Sequence, residues 1–551
     1  MLHRFLDRFP GLRRRVSLAA LALVASLFSC ACLNAQLTAD PVKMLTNHGR
    51  ILLVLPFDNR TGQPSLEWIR EAAADLLSTR FASAGFAPMT RADRVYALDH
   101  LGLPQGFQPS RASSLKLAQT LDADYIVVGN YRTDGNTIEA QAELVDVSHL
   151  RMTPAVGAYG AMGNMIAVFD SLAWKLTREL DPSFSVAEDT FVAAGQSLRI
   201  DAYEQYIRGI TEPDQAERLR HLEQSVKLSP GFSPAWMALG REQYHAEQYE
   251  DAAQAYAKVD ANSQDALEAG FYRGLSLLFS GNYAGAEKAF AAVARVLPLA
   301  EVVNNQAVAI SRQGRDGTAL YVQAASSDPN AADYHFNLAV SLKRQGHTTT
   351  ALNELSQSLK LRPNDSEAQL LEQAWKSPAT TQPAAGGDPA AAAPDPLERI
   401  VRTFDANAFR QAAAMLDQVD STRLAALTPH EQALKVCEQA GGYLHRGLLL
   451  EAERLYQSAV SLDSTAAEAH VGLAEVRERV GDDDAARKEA QTALELAPSS
   501  DAYLVLGRLD LEENHLADAK SEAGNALKLS PASPAAAELM RQVEARNSAG
   551  K

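Results

Sequence analysis

A recurrence of 34 residues constrains this chain more than any other feature. "SPAWMALGREQYHAEQYEDAAQAYAKV", opening at Ser233, puts Trp236, Leu239, Gly240, Ala252 and Tyr256 at positions 4, 7, 8, 20 and 24 of a unit. The next unit opens 34 residues on, at Leu267, with Gly274, Gly281, Ala286, Phe290 and Pro298 at positions 8, 15, 20, 24 and 32. A third, from Ala300, carries Ala307, Gly314 and Ala319 with a second helix about two residues short. A fourth, from Ala332, carries Leu338, Ala339, Gly346, Ala351 and Pro363, and "SEAQLLEQAWK" then reads as a capping helix. Upstream, "DAYEQYIRG" and "AERLRHLEQSVKLSP" form a worn first copy striped by Leu219, Leu222, Val226 and Leu228. Further copies open at Ala433, Ala467 and Ser500, and "SPAAAELMRQVEAR" from Ser533 caps the end. A helix pair of this kind cannot bury its apolar side alone, so neighbouring pairs stack into a curved solenoid with a concave face.

The pattern resembles the tetratricopeptide repeat (TPR), whose paired helices carry small residues where they cross and a proline after the second helix. The resemblance covers residues 201–376 and 397–546, giving an all-α solenoid in two arrays, each closed by a capping helix. Between them lies "SPATTQPAAGGDPAAAAPDP", residues 377–396, a proline- and alanine-rich tract without periodicity that reads as a linker. The resemblance implies binding of proteins or peptides and no catalysis by the repeats. It also implies a groove lined by the first helix of each pair. Read onto this chain, that groove takes Arg241, Tyr244 and His245 beside Met237, then Phe271 and Phe279 beside Leu275 and Leu278, then Arg312, Phe336, Lys343 and Arg344. Phe271 and Phe279 have a second reading as core between helices. The basic residues do not, because Arg and Lys are rarely buried unpaired. The carboxylate clamp of chaperone-binding repeats is not expected, since its lysine and asparagines are missing at the matching positions. The expected ligand is an extended peptide with apolar and acidic side chains, anchored by aromatics and steered by Arg241, Lys343 and Arg344.

Residues 50–182 follow different periods, and predict an α+β domain with a mixed sheet and helices ahead of the solenoid. The apolar run from Ile51 to Phe57 suits a buried strand, and Leu66, Ile69, Ala73, Leu76, Leu77 and Phe81 follow at helical spacing. Ser110 to Leu121 reads as a second helix and Ile166 to Leu180 as the closing one. "YIVVGNYRTDGNTIEAQAELVDV" reads as a hairpin turning at Asp134-Gly135, its second arm alternating Ile138, Ala140, Ala142 and Leu144 with polar residues. Strand, loop, helix is also the plan of a phosphate site, but "DNRTGQPS" has one glycine and no lysine, and Asp58 would repel a phosphate. Asn59, Thr61 and Gly62 instead make the turn, and Ser65 is expected to cap the helix. "VLPFDNRTG", "LDADYIVVGNYR" and "IEAQAELVDV" resemble the domain related to the N-terminal part of TolB and to the FlgO and CsgG envelope proteins. That resemblance implies a binding and assembly module of the bacterial envelope, with no catalytic residues to carry over.

The first residues read as an export signal. Arg4, Arg8 and Arg13 to Arg15 precede an apolar run from Val16 to Leu33, and the small residues of "SCACLNAQ" suit cleavage after Ala35. Two rivals stay open: an uncleaved anchor, and lipidation at Cys30, where "LFSC" resembles a lipobox. Membrane contact is expected only through such an N-terminal lipid or anchor, and the destination is the periplasm or the envelope. Two of three cysteines lie in the signal, which leaves Cys437 alone and without a disulfide partner. A net charge of −16 argues against nucleic acid, whose phosphates demand clustered positive charge. Nothing in the chain assembles a catalytic set: the histidines are scattered, HExxH and G-x-S-x-G are absent, and His445 and His470 fall on different repeats. "GDDDAARKE" from Gly481 lacks the alternation of a calcium loop and sits where acidic residues suit a helix start. No cofactor or metal is expected. The functional expectation is a non-catalytic envelope scaffold that binds protein partners on its concave surface, with the α/β domain as a docking module. The alternative is an enzyme or small-ligand binder with its site in residues 50–182.

Overall fold

The computed structural model describes residues 50–104, 110–193, 198–261, 263, 265–376, 396–404, 424 and 427–549. The export segment 1–35, with Cys30, and the linker up to residue 395 lie outside these residues. Among the described residues no helix is long and apolar enough to cross a membrane.

The N-terminal domain is built on a seven-stranded mixed sheet. Its strands are β1 (Ile51–Val54), β2 (Asp58–Asn59), β3 (Ala87–Pro88), β4 (Tyr125–Asp134), β5 (Thr137–Asp146), β6 (Arg151–Met152) and β7 (Val156–Ala161). β1 lies parallel between β3 and β4, β2 also runs parallel to β4, and β4, β5 and β7 are antiparallel. The β4–β5 hairpin pairs Asp134 with Thr137 across Gly135 at φ +58°, a left-handed turn position that glycine takes without strain. Alternation decides which side chain goes where. Leu52, Val54, Val127, Ile138, Ala140, Ala142 and Leu144 turn to one face, which α1 (Ile69–Ser83) and α4 (Met165–Leu180) cover with Phe81, Phe169 and Leu176. Leu53, Leu55, Ile126 and Val145 turn to the other, under α2 (Arg91–His100) and α3 (Arg111–Thr120). α2 and β7 have no counterpart in the sequence reading.

The loop after β2 closes on itself. The Asn59 carboxamide oxygen accepts from the Thr61 amide at 3.0 Å and hydroxyl at 2.6 Å, while Gly62 takes φ +71°. Ser65 does not cap a helix. It lies inside the 3-10 turn Pro64–Leu66, and α1 starts at Ile69 behind Trp68 with no side-chain cap.

A short helix, α5 (Glu188–Ala193), leads to the first array: α6 (Ile200–Thr211), α7 (Gln215–Leu228), α8 (Ser233–His245), α9 (Tyr249–Tyr256), α10 (Ala266–Phe279), α11 (Tyr283–Val296), α12 (Ala300–Ser311), α13 (Thr318–Ser327), α14 (Ala332–Arg344), α15 (Thr348–Leu361) and α16 (Ser366–Lys376). The second comprises α17 (Pro429–His445), α18 (Leu449–Leu462), α19 (Ala467–Val480), α20 (Asp483–Leu496), α21 (Ser500–Glu512), α22 (Leu516–Leu529) and α23 (Pro534–Ala549). Within a unit the glycine at position 8 meets the aromatic at position 24. A Cβ on Gly240 would stand 2.9 Å from the Tyr256 ring, and one on Gly274 would stand 2.6 Å from Phe290. The acidic start of α20 behaves as a helix cap: the Asp482 carboxylate accepts from the Ala485 amide at 3.2 Å, with Gly481 at φ +80° ahead of it.

The α/β domain is joined to both arrays. Tyr203 and Ile207 of α6 complete its core, as does Leu450 of α18. Fully buried Glu453 of α18 takes hydrogen bonds from the Ala187 amide at 3.1 Å, Gln457 at 2.7 Å and Arg477 of α19 at 2.6 Å.

Candidate functional site

Residues 397–404, placed by the sequence at the head of the second array, do not begin it. They have no helix of their own and pack on the first array, where Ile400, Val401 and Phe404 join the apolar core of α10 to α14. This is a correction with a plain physical reason: the segment's backbone finds its partners in side chains that lie far off in sequence.

The grip on that backbone comes from three fully buried asparagines, Asn304 and Asn305 on α12 and Asn337 on α14. Asn337 accepts from the Arg399 amide at 2.6 Å and donates to the Arg399 carbonyl at 2.8 Å. Asn305 accepts from the Val401 amide at 3.0 Å and donates to the Val401 carbonyl at 2.7 Å. Asn304 donates to the Arg399 carbonyl at 3.2 Å and accepts from Asn337 at 2.8 Å. Alternate residues of the segment thus exchange both main-chain groups with the array, much as a strand does with a neighbour. Each carboxamide has the donor and the acceptor that this requires, and burial makes leaving either unpaired costly.

The segment's charges fall into opposite pockets. The buried Glu398 carboxylate is held by Arg312 at 3.3 Å and by Arg344 and the Ser311 hydroxyl. The next residue, Arg399, enters an acidic pocket: Asp365 at 2.5 and 2.9 Å, Asp333 at 3.0 Å and Glu367 at 3.1 Å, with the Phe336 ring centroid 3.6 Å away. Burial opposes the Arg399 charge, yet the hydrogen bonds to Asp365, Asp333 and Glu367 outweigh it and raise the guanidinium's pKa. The same bond from Arg399 holds Asp365 below its ordinary range. Further along, Arg402 lies 4.9 Å over the Phe279 ring and Phe404 packs 5.4 Å from Phe271.

The nine sequence-derived groove residues divide accordingly. Phe271, Phe279, Arg312, Phe336 and Arg344 meet the segment. Phe271 and Phe336 are also fully buried, so Phe271 is core between helices as well as a contact of the segment. Tyr244 packs against Phe279 at 6.2 Å and Tyr272 at 5.7 Å; burial pushes its hydroxyl up to about 12, and Arg402 of the segment acts against that. Arg241 pairs with Glu268 at 3.0 Å, and His245 is exposed beside Tyr244. Lys343 turns to Thr348 at 3.1 Å and to Trp375, away from the segment. Sequence reasoning missed the asparagines and the acidic pocket. Asn304 and Asn305 beside Val302 and Val303, and Asn337 between Phe336 and Leu338, were a readable signal, because a carboxamide buried among apolar residues demands a partner.

Elsewhere, Asp510, Glu513 and His515 come within reach of one another, but Arg487 already pairs with the first two at 2.7 and 3.0 Å. A cleft of about 450 Å³ in the second array is lined by Cys437, Tyr456 and Glu475. The asparagine grip differs in kind from the excluded clamp, since it holds internal main chain and not a terminal carboxylate.

Residues 438–501, spanning the end of α17 to the start of α21, match the tetratricopeptide repeat family. That stretch of the chain carries tetratricopeptide repeats. No curated protein matches the sequence of this repeat protein. Among solved structures it is similar to YrrB, titled a TPR protein with an unusual peptide-binding site, at 14% identity and a TM-score of 0.28, over 37% of this chain and 99% of that one. It is similar to MamA at 15% identity and a TM-score of 0.27, over 28% of this chain and 94% of that one. It is also similar to the LpoB C-terminal domain from Escherichia coli at 21% identity and a TM-score of 0.19, over 22% of this chain and 93% of that one.

Proposed function

We propose that this repeat protein is a non-catalytic scaffold of the cell envelope that holds protein partners as extended peptides on the concave face of its first array. The observation that carries the reading is the asparagine grip: Asn305 and Asn337 bind the amide and carbonyl of alternate residues, an arrangement that accepts extended main chain of any sequence. The α/β domain serves as the docking module, tied to both arrays through Tyr203 and Glu453. Its loop after β2 is closed by its own hydrogen bonds, which argues against a phosphate grip there.

A photo-reactive residue at exposed His245, on a first helix where the groove is expected, and another at exposed Lys288, on a second helix, test the reading in the native envelope. Discrete adducts from position 245 alone are expected. The same adducts from both positions, or none from either, would overturn it. Export belongs to the same proposal. The mature N-terminus should be Gln36, or be blocked by acylation at Cys30 or Cys32. Recovery of intact Met1 from soluble cytosol would remove the envelope from the proposal.

A further inference from the structure

We infer that the first-array groove is a receptor for one peptide class, with an acid, a base, two apolar residues, a base and, two residues on, an aromatic, and that residues 397–404 are a resident copy which a partner segment of the same chemistry replaces. The inference rests on the peptide-binding reading above and names the ligand for it.

The asparagines read only main chain, so selectivity has to come from the pockets on either side of them. Those pockets differ in sign. Arg312 and Arg344 with Ser311 receive an acid at the place of Glu398. Asp333, Asp365 and Glu367 receive a base one residue later, and the Phe336 face beneath favours a guanidinium over an ammonium. A peptide with the two charges exchanged would face three carboxylates with an acid and two guanidiniums with a base. The groove is therefore not simply basic, and the ligand inferred here adds a base to the acidic and apolar peptide expected from the sequence. The apolar places are set by Ile400 and Val401 against the α10–α14 core, and the far end by Phe279 beneath Arg402 and Phe271 beside Phe404.

Exchange is physically reasonable because the array holds the segment through side chains alone at its polar contacts. No strand or helix of the segment has to unravel for it to leave, and a second peptide can make the same bonds in the same order. The resident copy belongs to the same chain as the groove, so its binding is intramolecular and it competes at an effective concentration on the order of millimolar. A free peptide will be shut out until the resident copy is weakened. The groove is consequently closed to weak or mismatched peptides and open to a partner that outbids the tether.

The test uses the full chain and a fluorescent peptide of sequence LERIVRTF. In the variant carrying E398R and R399E together, the resident copy no longer fits, and the peptide should bind at least about tenfold tighter than to the wild type. The charge-exchanged peptide LREIVRTF should not bind, and adding N305A and N337A to the variant should abolish binding of LERIVRTF. A folded variant, with unchanged helicity and melting, that binds neither peptide, or both equally, overturns the inference; groove-specific adducts from position 245 would then leave the scaffold reading standing. Should the double variant fail to fold, hydrogen exchange on the wild type decides. At about 10 mM unlabelled LERIVRTF the Arg399 and Val401 amides of the chain should keep protection at the asparagines only part of the time and exchange faster. Unchanged exchange there overturns the inference.

Discussion

The Tyr203 hydroxyl of the first repeat donates to the Asp75 carboxylate of the α/β domain at 2.7 Å, at a junction where Tyr203 is buried and Asp75 half-buried. Burial pushes Asp75 up to about 6 from 3.8; the bond from Tyr203 opposes this, Glu71 adds to it, and Arg94 and Arg91 act against it. The folded chain thus binds a proton that the unfolded chain has released. Stability from this group is fully present below about pH 4 and is lost as pH rises through about 6. The difference corresponds to about 3 kcal/mol. Urea unfolding from pH 4 to 7.5 should show the Asp75→Asn variant gaining on the wild type as pH rises through this window. A constant difference between the two would refute the assignment.

Gly274 and Gly442 separate two roles of helical glycine. A Cβ at Gly274 would lie 2.6 Å from the Phe290 ring, whereas one at Gly442 would meet nothing within 4 Å. Gly274→Val should cost about 1–3 kcal/mol by overpacking. Gly442→Ala should gain up to about 1 kcal/mol from helix propensity. Thermal melting of the two variants reads both signs.

Cys437 is buried, and that burial pushes its thiol up to about 12, with Glu468 adding to the shift. At pH 8 it should resist a thiol reagent until the second array opens, since the thiolate is the reactive species. Labelling in denaturant should be prompt and stoichiometric. Equally fast labelling of the native chain would show that α17 does not pack as described.

Glu453 ties the α/β domain to the second array, and its loss would strand Arg477 and the Ala187 amide. Burial raises its pKa, while Arg477 works in the opposite direction. Glu453→Ala should destabilise by about 3 kcal/mol, the scale for removing one partner of a buried pair. Glu453→Gln, which keeps an acceptor for the amide, should lose less. Chemical denaturation monitored in both variants supplies the comparison.

Much of the fold was legible because it is periodic. The 34-residue recurrence marks helix pairs, and Gly240 with Tyr256 and Gly274 with Phe290 mark where they cross, because only glycine leaves room for the ring. Asp134-Gly135 announced the hairpin, and the alternation from Ile138 to Leu144 announced its buried face. These are local rules, satisfied by residues a few positions apart. The short strand β7 was not legible, since "VGAYGA" becomes a strand only by pairing with β5.

Five of the nine residues expected in the groove meet residues 397–404, but the sequence did not show what they would meet. Residues 397–404 carry Leu397, Ile400, Val401 and Phe404 at helical spacing yet form no helix, and their place is decided by Asn337, 62 positions from Arg399, and by Asn305, 96 positions from Val401. The sequence by itself determined the helix pairs and the mixed sheet, and it singled out five residues that meet the 397–404 segment. Only the tertiary structure decided what lies there, because a main chain without its own ladder goes wherever distant side chains can pair its amides and carbonyls and match its charges.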